Sequence, residues 1–147
     1  MVDTPRYPES RPLVVLALIP GLERSLFTDE HLTALRAMAA LPETKPAVPF
    51  DGERAGQLLP DAEILLTGWG CPPLGEDVVS RAPKLRAVVH AAGTVKAHVT
   101  PACFERGIRI SSAAAANAVP VAEYTLAAIL LANKRAFQLQ RRYRELR

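Results

Sequence analysis

Two glycines, Gly68 and Gly70, follow an apolar run at residues 63–67 and have the spacing that opens a nucleotide-binding loop. A dinucleotide fingerprint continues as Gly-x-Gly-x-x-Gly into a helix, because the helix N-terminus faces the pyrophosphate. Here Pro73 occupies the third glycine position, and Pro72 beside it delays any helix. The pattern therefore favours a sharp loop at the carboxyl end of a strand, where open α/β sheets bind ligands.

A second glycine turn follows the apolar run at residues 85–91. The backbone N–H groups of Gly93, Thr94 and Val95 could form a concave anion site, as successive N–H groups in a turn often do. A plain connection between a strand and a helix would have the same residue types. The residues alone leave both interpretations open.

Asn117 lies just before an apolar helical pattern that continues to the end of the chain. Asparagine is a good N-cap residue, and Pro120 suits the first turn of a helix. Glu123 is also favourable near a helix N-terminus. We therefore expect a long helix over residues 119–147, with Asn117 as its cap.

Two histidines and two cysteines are the remaining candidates for metal or redox chemistry. His90, His98 and Cys103 match no zinc-site spacing, and no second cysteine pair completes a ligand set. Cys71 and Cys103 form no Cys-x-x-Cys unit. We expect no metal site and two reduced thiols with a structural role.

The 147-residue length is typical of one domain, and 49% hydrophobic against 22% charged residues indicates a globular chain. The net charge of +3 comes from a basic cluster at the C-terminal end, not from a basic face with aromatic residues, so we expect no nucleic-acid partner.

The apolar segment at residues 124–133 is too short to span a bilayer, and no signal peptide is recognisable at the N-terminus. We therefore expect a cytoplasmic protein with no membrane contact.

Strand-like and helix-like segments alternate along the chain. Five strands are predicted, at residues 13–19, 47–50, 63–67, 85–91 and 108–110, with residues 47–50 the weakest. Alternation of this kind is typical of an α/β fold with a parallel sheet. The simplest topology is a flavodoxin-like parallel sheet with helices on both faces, ending in a long interdomain helix. Residues 1–11 are polar and proline-rich, which indicates a flexible tail.

Four short motifs occur in a fixed order between residues 60 and 136. Together they resemble the D-isomer-specific 2-hydroxyacid dehydrogenases, a family that includes phosphoglycerate, glyoxylate and formate dehydrogenases. Each motif is unspecific alone, but the ordered set is specific. The motifs are Ala-Pro-Lys-Leu at 82–85, Ala-Ala-Gly at 91–93, Glu-Arg-Gly-Ile at 105–108 and Asn-x-x-x-Val-Ala-Glu at 117–123.

The resemblance implies a substrate domain at residues 12–118 and a long helix at 119–147 that leads to a nucleotide-binding domain absent from this chain. Members of the family transfer a hydride between NAD or NADP and the CH–OH group of a D-2-hydroxy acid. The glycine-rich phosphate loop and the family's catalytic histidine, arginine and acidic residue would lie in the missing part. The resemblance therefore implies a dehydrogenase when complete, acting on a small 2-hydroxy or 2-keto acid, and an inactive fragment here with no bound cofactor.

The same resemblance assigns a substrate wall. Backbone amides of Gly93, Thr94 and Val95 would bind the substrate carboxylate. Gly68 and Trp69 would line the pocket, and Asn117 would contact the substrate. Val121 would lie near the nicotinamide. Many relatives have an acidic residue soon after the glycine turn, and this chain has Val95-Lys96-Ala97-His98 instead. The other substrate-binding residues are Gly68, Trp69 and Asn117, and the cofactor-binding residue is Val121.

Two function classes remain after this comparison. The first is the substrate domain of an NAD(P)-dependent oxidoreductase, which we expect to be a homodimer when complete. The second is a free-standing flavodoxin-like module that binds a ligand or partner without catalysis. The basic residues near the C-terminus do little to distinguish these two function classes.

Overall fold

The computed structural model describes residues 11–146. The predicted flexible tail at residues 1–11 therefore lies almost wholly outside the described residues. The chain forms two compact units, Met1–Ser112 and Ala113–Arg147. Each unit is described by itself below.

The first unit is built on a parallel sheet of four strands in the order β1-β2-β3-β4. Parallel strands of this kind, buried by helices, are rich in aliphatic residues. In register, Ala17 of β1 pairs with Thr67, and Thr67 pairs with His90. All four carboxyl ends therefore meet at one edge of the sheet. The strands are β1 (Val14–Ala17), β2 (Ile64–Thr67), β3 (Ala87–His90) and β4 (Arg109–Ser112).

The weak strand predicted at residues 47–50 does not form, and that prediction is wrong. Ala47 donates one backbone hydrogen bond to the carbonyl of Leu16, at 2.8 Å, so the segment does lie beside β1. Pro46 and Pro49 flank and interrupt the segment and have no N–H to donate, which prevents a ladder. A flavodoxin-like sheet would have its additional edge strand at this position.

Helices cover both faces of the sheet, as predicted. On one face Val15, Leu65 and Val88 pack with residues of α3, α4 and α5 in a single apolar cluster. On the other face Val14 and Leu16 pack with apolar residues of α2 and with Leu22 and Phe27, which flank α1. The helices of this unit are α1 (Glu23–Leu26), α2 (Asp29–Met38), α3 (Glu53–Leu58) with a 3₁₀ turn (Leu59–Asp61), α4 (Glu76–Arg81) and α5 (Pro101–Glu105).

The second unit consists of two helices, α6 (Ala114–Asn133) and α7 (Ala136–Glu145). The long helix thus begins five residues before the predicted start, because the alanines at 114–116 are strong helix formers. It also ends early: Arg135 has a left-handed φ of 53°, which separates α6 from α7. The residue at the N-cap is Ala113, so the prediction that Asn117 caps the helix is wrong.

α6 is long enough and apolar enough to cross a membrane, with a mean hydropathy of 1.5 over an 18-residue window. This differs from the prediction that the apolar segment at residues 124–133 is too short to span a bilayer. The difference arises because the helix includes the alanine-rich segment before them. Composition and length are weak evidence for a span, since apolar helices of soluble proteins have the same features.

Candidate functional site

The first half of the candidate site is the loop that follows β2. Gly68 donates a backbone hydrogen bond to the carbonyl of Ala17 at 3.2 Å, and Ile19 donates one to the carbonyl of Trp69 at 2.8 Å. These two bonds tie the loop to the end of β1. The Trp69 side chain is 62% exposed. Gly70 has a φ of +74°, a conformation that favours glycine.

The second half is the loop that follows β3, the next strand in the sheet. Ala91 at its start donates a hydrogen bond to the carbonyl of Thr67 at 2.8 Å. At its end the carbonyl of Val95 accepts from the N–H groups of His98, at 3.1 Å, and Val99, at 2.9 Å. The intervening residues, Gly93 and Thr94, are thus held between two anchored points. Gly93 is not among the glycines with positive φ, which are Gly21, Gly70 and Gly107.

Three successive backbone N–H groups in this second loop are available to a ligand. Within residues 11–146, the N–H groups of Gly93, Thr94 and Val95 donate to no protein acceptor. Thr94 is exposed and the other two residues are half-buried. Backbone N–H groups without partners at the carboxyl edge of a parallel sheet can bind a carboxylate or another small anion.

The structure therefore places five of the predicted site residues, Gly68, Trp69 and Gly93–Val95, in the loops that follow two adjacent strands, at one edge of the sheet. Their predicted roles in substrate binding stay predictions. Asn117 and Val121 belong to α6 of the second unit, where both are exposed. The backbone N–H of Asn117 donates to the carbonyl of Ala113 at 2.8 Å, as in an ordinary helical turn.

A buried polar cluster that the sequence analysis did not recognise lies at the same edge. Thr67 Oγ1 is 2.9 Å from His90 Nδ1 and 3.4 Å from His98 Nε2. The two imidazole rings have centroids 4.5 Å apart. Burial lowers the pKa of both histidines, and the pKa of His98 is lowered further by the charge on His90. The available sequence signal was a polar residue at the last position of each of two adjacent strands.

Among the described residues, no group of three His, Cys, Asp or Glu side chains could hold a metal ion. Cys71 and Cys103 are both buried free thiols. Burial, with a smaller effect of Cys103, raises the pKa of the Cys71 thiol to about 12. A thiol with such a pKa stays protonated at neutral pH and is a poor nucleophile.

No protein-family model matches the chain, and no curated protein sequence matches it. Among solved structures, the chain is similar to a phosphoglycerate oxidoreductase from Rhizobium etli, with a TM-score of 0.64 and 26% sequence identity. The match covers 82% of this chain but only 37% of the oxidoreductase, so this chain corresponds to little more than a third of that protein. The flavodoxin-like α/β fold is confirmed by the same comparison.

Proposed function

We propose that this chain is the substrate domain of an NAD(P)-dependent oxidoreductase that acts on the CH–OH group of a D-2-hydroxy acid. The observation that carries the proposal is the row of three accessible N–H groups at Gly93–Val95. Every 2-hydroxy or 2-keto acid has a carboxylate next to the reacting carbon. A site that holds this carboxylate by main-chain donors therefore fixes the reacting carbon one bond away.

The proposed roles follow from this placement. The amides of Gly93–Val95 bind the carboxylate, and the exposed Trp69 and the backbone of Gly68 limit the space for the rest of the substrate. Asn117 contacts substrate and Val121 lies near the nicotinamide in the complete enzyme. These two assignments rest on the family resemblance of the 117–123 motif.

The nicotinamide cofactor supplies the hydride acceptor or donor in this chemistry. The described residues do not fit its phosphates at the Gly68–Gly70 loop, because Pro72 and Pro73 follow and α4 begins only at Glu76. We propose that residues outside this chain hold the cofactor. The chain alone is expected to bind NAD(H) weakly and to have no dehydrogenase activity.

We also propose that the protein is cytoplasmic and that the complete enzyme is a homodimer. Against a membrane location for α6, Glu123 is the tenth of its 20 residues and would lie at the bilayer centre, where an ionised carboxylate costs about 2.5–3.5 kcal/mol. A flotation assay with phosphatidylcholine vesicles should leave the chain in the aqueous fraction. Recovery with the vesicles would contradict this part of the proposal.

The test is an NMR titration of the isotopically labelled chain with pyruvate and with pyruvamide. Pyruvate should shift the amide signals of Gly93, Thr94 and Val95, whereas pyruvamide, which has no carboxylate, should shift them much less. Thr94→Ala should keep the response, because the donors are in the main chain. Sub-millimolar NAD(H) binding without any response to 2-keto acids would contradict the proposal and favour a ligand-binding module of another kind.

A further inference from the structure

The buried cluster of Thr67, His90 and His98 involves both anchors of the loop that follows β3, which we call the anion-binding loop (residues 91–98). The loop's first anchor is the hydrogen bond from Ala91 to the carbonyl of Thr67. Its second anchor is the turn in which His98 donates to the carbonyl of Val95. The carbonyl of His98 in turn accepts from the N–H of Leu74 at 2.8 Å. The backbone groups that anchor Gly93–Val95 therefore belong to Thr67 and His98, whose side chains meet in this cluster.

The hydrogen-bonding capacity of the cluster limits its protonation states. A threonine hydroxyl has one proton, so Thr67 can donate to at most one of the two imidazoles. His90 Nε2 is buried and has no hydrogen-bond partner among the described residues. A buried N–H without an acceptor is rarer than a buried acceptor without a donor. This favours the tautomer in which His90 Nδ1–H donates to Thr67 and the Thr67 hydroxyl donates to His98 Nε2.

Addition of a second proton disrupts this arrangement at either ring. On His90 the proton would enter at Nε2, where the described residues offer no acceptor. On His98 it would enter at Nε2, opposite the hydroxyl proton of Thr67. Both residues are almost fully buried, at 2% and 3% exposure, and this burial disfavours the charged form of each ring.

Within residues 11–146, no salt bridge is available to compensate for such a proton. The loop after β2 contributes Cys71, whose thiol stays neutral, and α5 contributes the buried Cys103. Lys96 of the same loop is exposed and has the same sign as a protonated imidazole. The position opposite His90 in β4 is the uncharged Ser112. In the described part of the chain, neither imidazole forms a hydrogen bond or a salt bridge with a carboxylate.

We propose that Thr67, His90 and His98 are positioning residues for the anion-binding loop and hold it in its binding conformation only while both imidazoles are neutral. The inference rests on the proposed function, since it concerns the same loop. A carboxylate ligand should therefore bind well at neutral pH and progressively less well as the histidines become protonated. The loop would respond to mild acid although none of its three donors titrates.

The first test measures pyruvate affinity by NMR at about pH 8 and about pH 4, below the usual histidine range because burial lowers the pKa of both rings. The wild type should bind about tenfold more weakly at the lower pH. His90→Asn and His98→Gln replace the bonding nitrogen, Nδ1 or Nε2 respectively, with an amide that does not titrate. The double variant should bind with similar affinity at both pH values.

The controls separate positioning from general damage. His31→Gln alters the exposed third histidine, at the start of α2, and should keep the pH dependence of the wild type. Thr67→Ser keeps the hydroxyl and should restore the pyruvate affinity that Thr67→Val loses. If Thr67→Val does not fold, the histidine double variant still tests whether the two imidazoles cause the pH dependence of pyruvate affinity. Equal affinity of the wild type at both pH values, or an unchanged pH dependence in the double variant, would overturn the proposal.

A second measurement makes the inference distinguishable from the proposed function. Without any ligand, the amide signals of Gly93–Val95 should follow the titration of the two imidazoles in the wild type and not in the double variant. If pyruvate causes no shift at any pH, the proposed function fails while this titration still tests the positioning network. If the loop signals ignore the histidine titration, the network proposal fails even where pyruvate binds.

Discussion

Gly70 is the single residue whose replacement should most disturb the loop after β2. Its φ of +74° strains any other residue, and an added Cβ would collide with the side chain of Ile19. Gly21 has a φ of +95° but nothing within 4 Å of an added Cβ, so it is a matched control for backbone strain alone. The glycine spacing predicted a sharp loop here, and the structure shows that this loop requires glycine at position 70 for steric reasons.

Gly70→Ala should lower the free energy of unfolding by about 3 kcal/mol, of which about 1–2 kcal/mol is backbone strain and the rest overpacking. Gly21→Ala should cost only the strain, about 1–2 kcal/mol. Urea denaturation of both variants checks this. Combining Gly70→Ala with Ile19→Ala should recover the overpacking part; an additive loss in the double variant would contradict the collision.

Asn117 gives a second test at the residue scale, because the cap and substrate interpretations differ in their effect on stability. An N-cap asparagine replaced by alanine costs about 1 kcal/mol. Asn117 lies within α6, after the actual N-cap Ala113, so Asn117→Ala should leave stability unchanged or raise it by about 0.5 kcal/mol. Guanidinium denaturation followed by helical circular dichroism measures this. A loss near 1 kcal/mol would show that the side chain does cap the helix in solution.

At the scale of elements, α2 begins with a capping box formed by Thr28 and His31. Thr28 accepts a hydrogen bond from the N–H of His31, and the Thr28 N–H donates to His31 Nδ1, both at 3.3 Å. Thr28→Ala should lower the free energy of unfolding by about 1 kcal/mol. Thr33→Ala in the same helix should cost little, since Thr33 Oγ1 donates only to the carbonyl of Asp29 within the helix. Equal losses in the two variants would contradict the capping argument.

The elements also show how far sequence reasoning reached. Continuous aliphatic runs predicted β1, β2 and β3, because a strand buried on both faces is apolar throughout. The segment at residues 47–50 failed because its prolines cannot join a ladder. The start of α6 was missed because Pro120 resembles a first-turn proline, although the helix includes it in its interior.

The candidate site could be predicted only in part, because some of its contacts depend on the three-dimensional arrangement of the strands. The glycine turns at Gly68 and Gly93 are visible in the sequence, and a parallel sheet necessarily brings their strand ends to one edge. The contact of Thr67 with His90 and His98 depends on strand register, which the amino-acid sequence alone does not determine. Sequence reasoning therefore located the loops but not the side chains beneath them.

At the scale of the whole molecule, α6 is apolar on all sides, and none of its residues is buried. A helix of this kind is normally covered by other protein. The first unit also has an apolar groove of about 330 Å³ on one sheet face, lined by residues that include Leu35, Met38 and Val89. Exposed apolar surface of this extent is typical of association sites.

The chain should therefore self-associate in solution as its concentration rises. Replacing Leu126 and Leu130 together with glutamine should weaken this association, because the two side chains are neighbours one turn apart on α6 and are both more than half exposed. Phe104→Gln is the matched control, since Phe104 is equally exposed but lies on α5 of the first unit. Sedimentation velocity over a hundredfold range of concentration, roughly micromolar to submillimolar, would separate the variants. The wild type and Phe104→Gln should form larger species at the same concentrations, while the α6 variant stays monomeric up to higher concentrations. A wild type that sediments as a monomer throughout would show that α6 does not drive assembly.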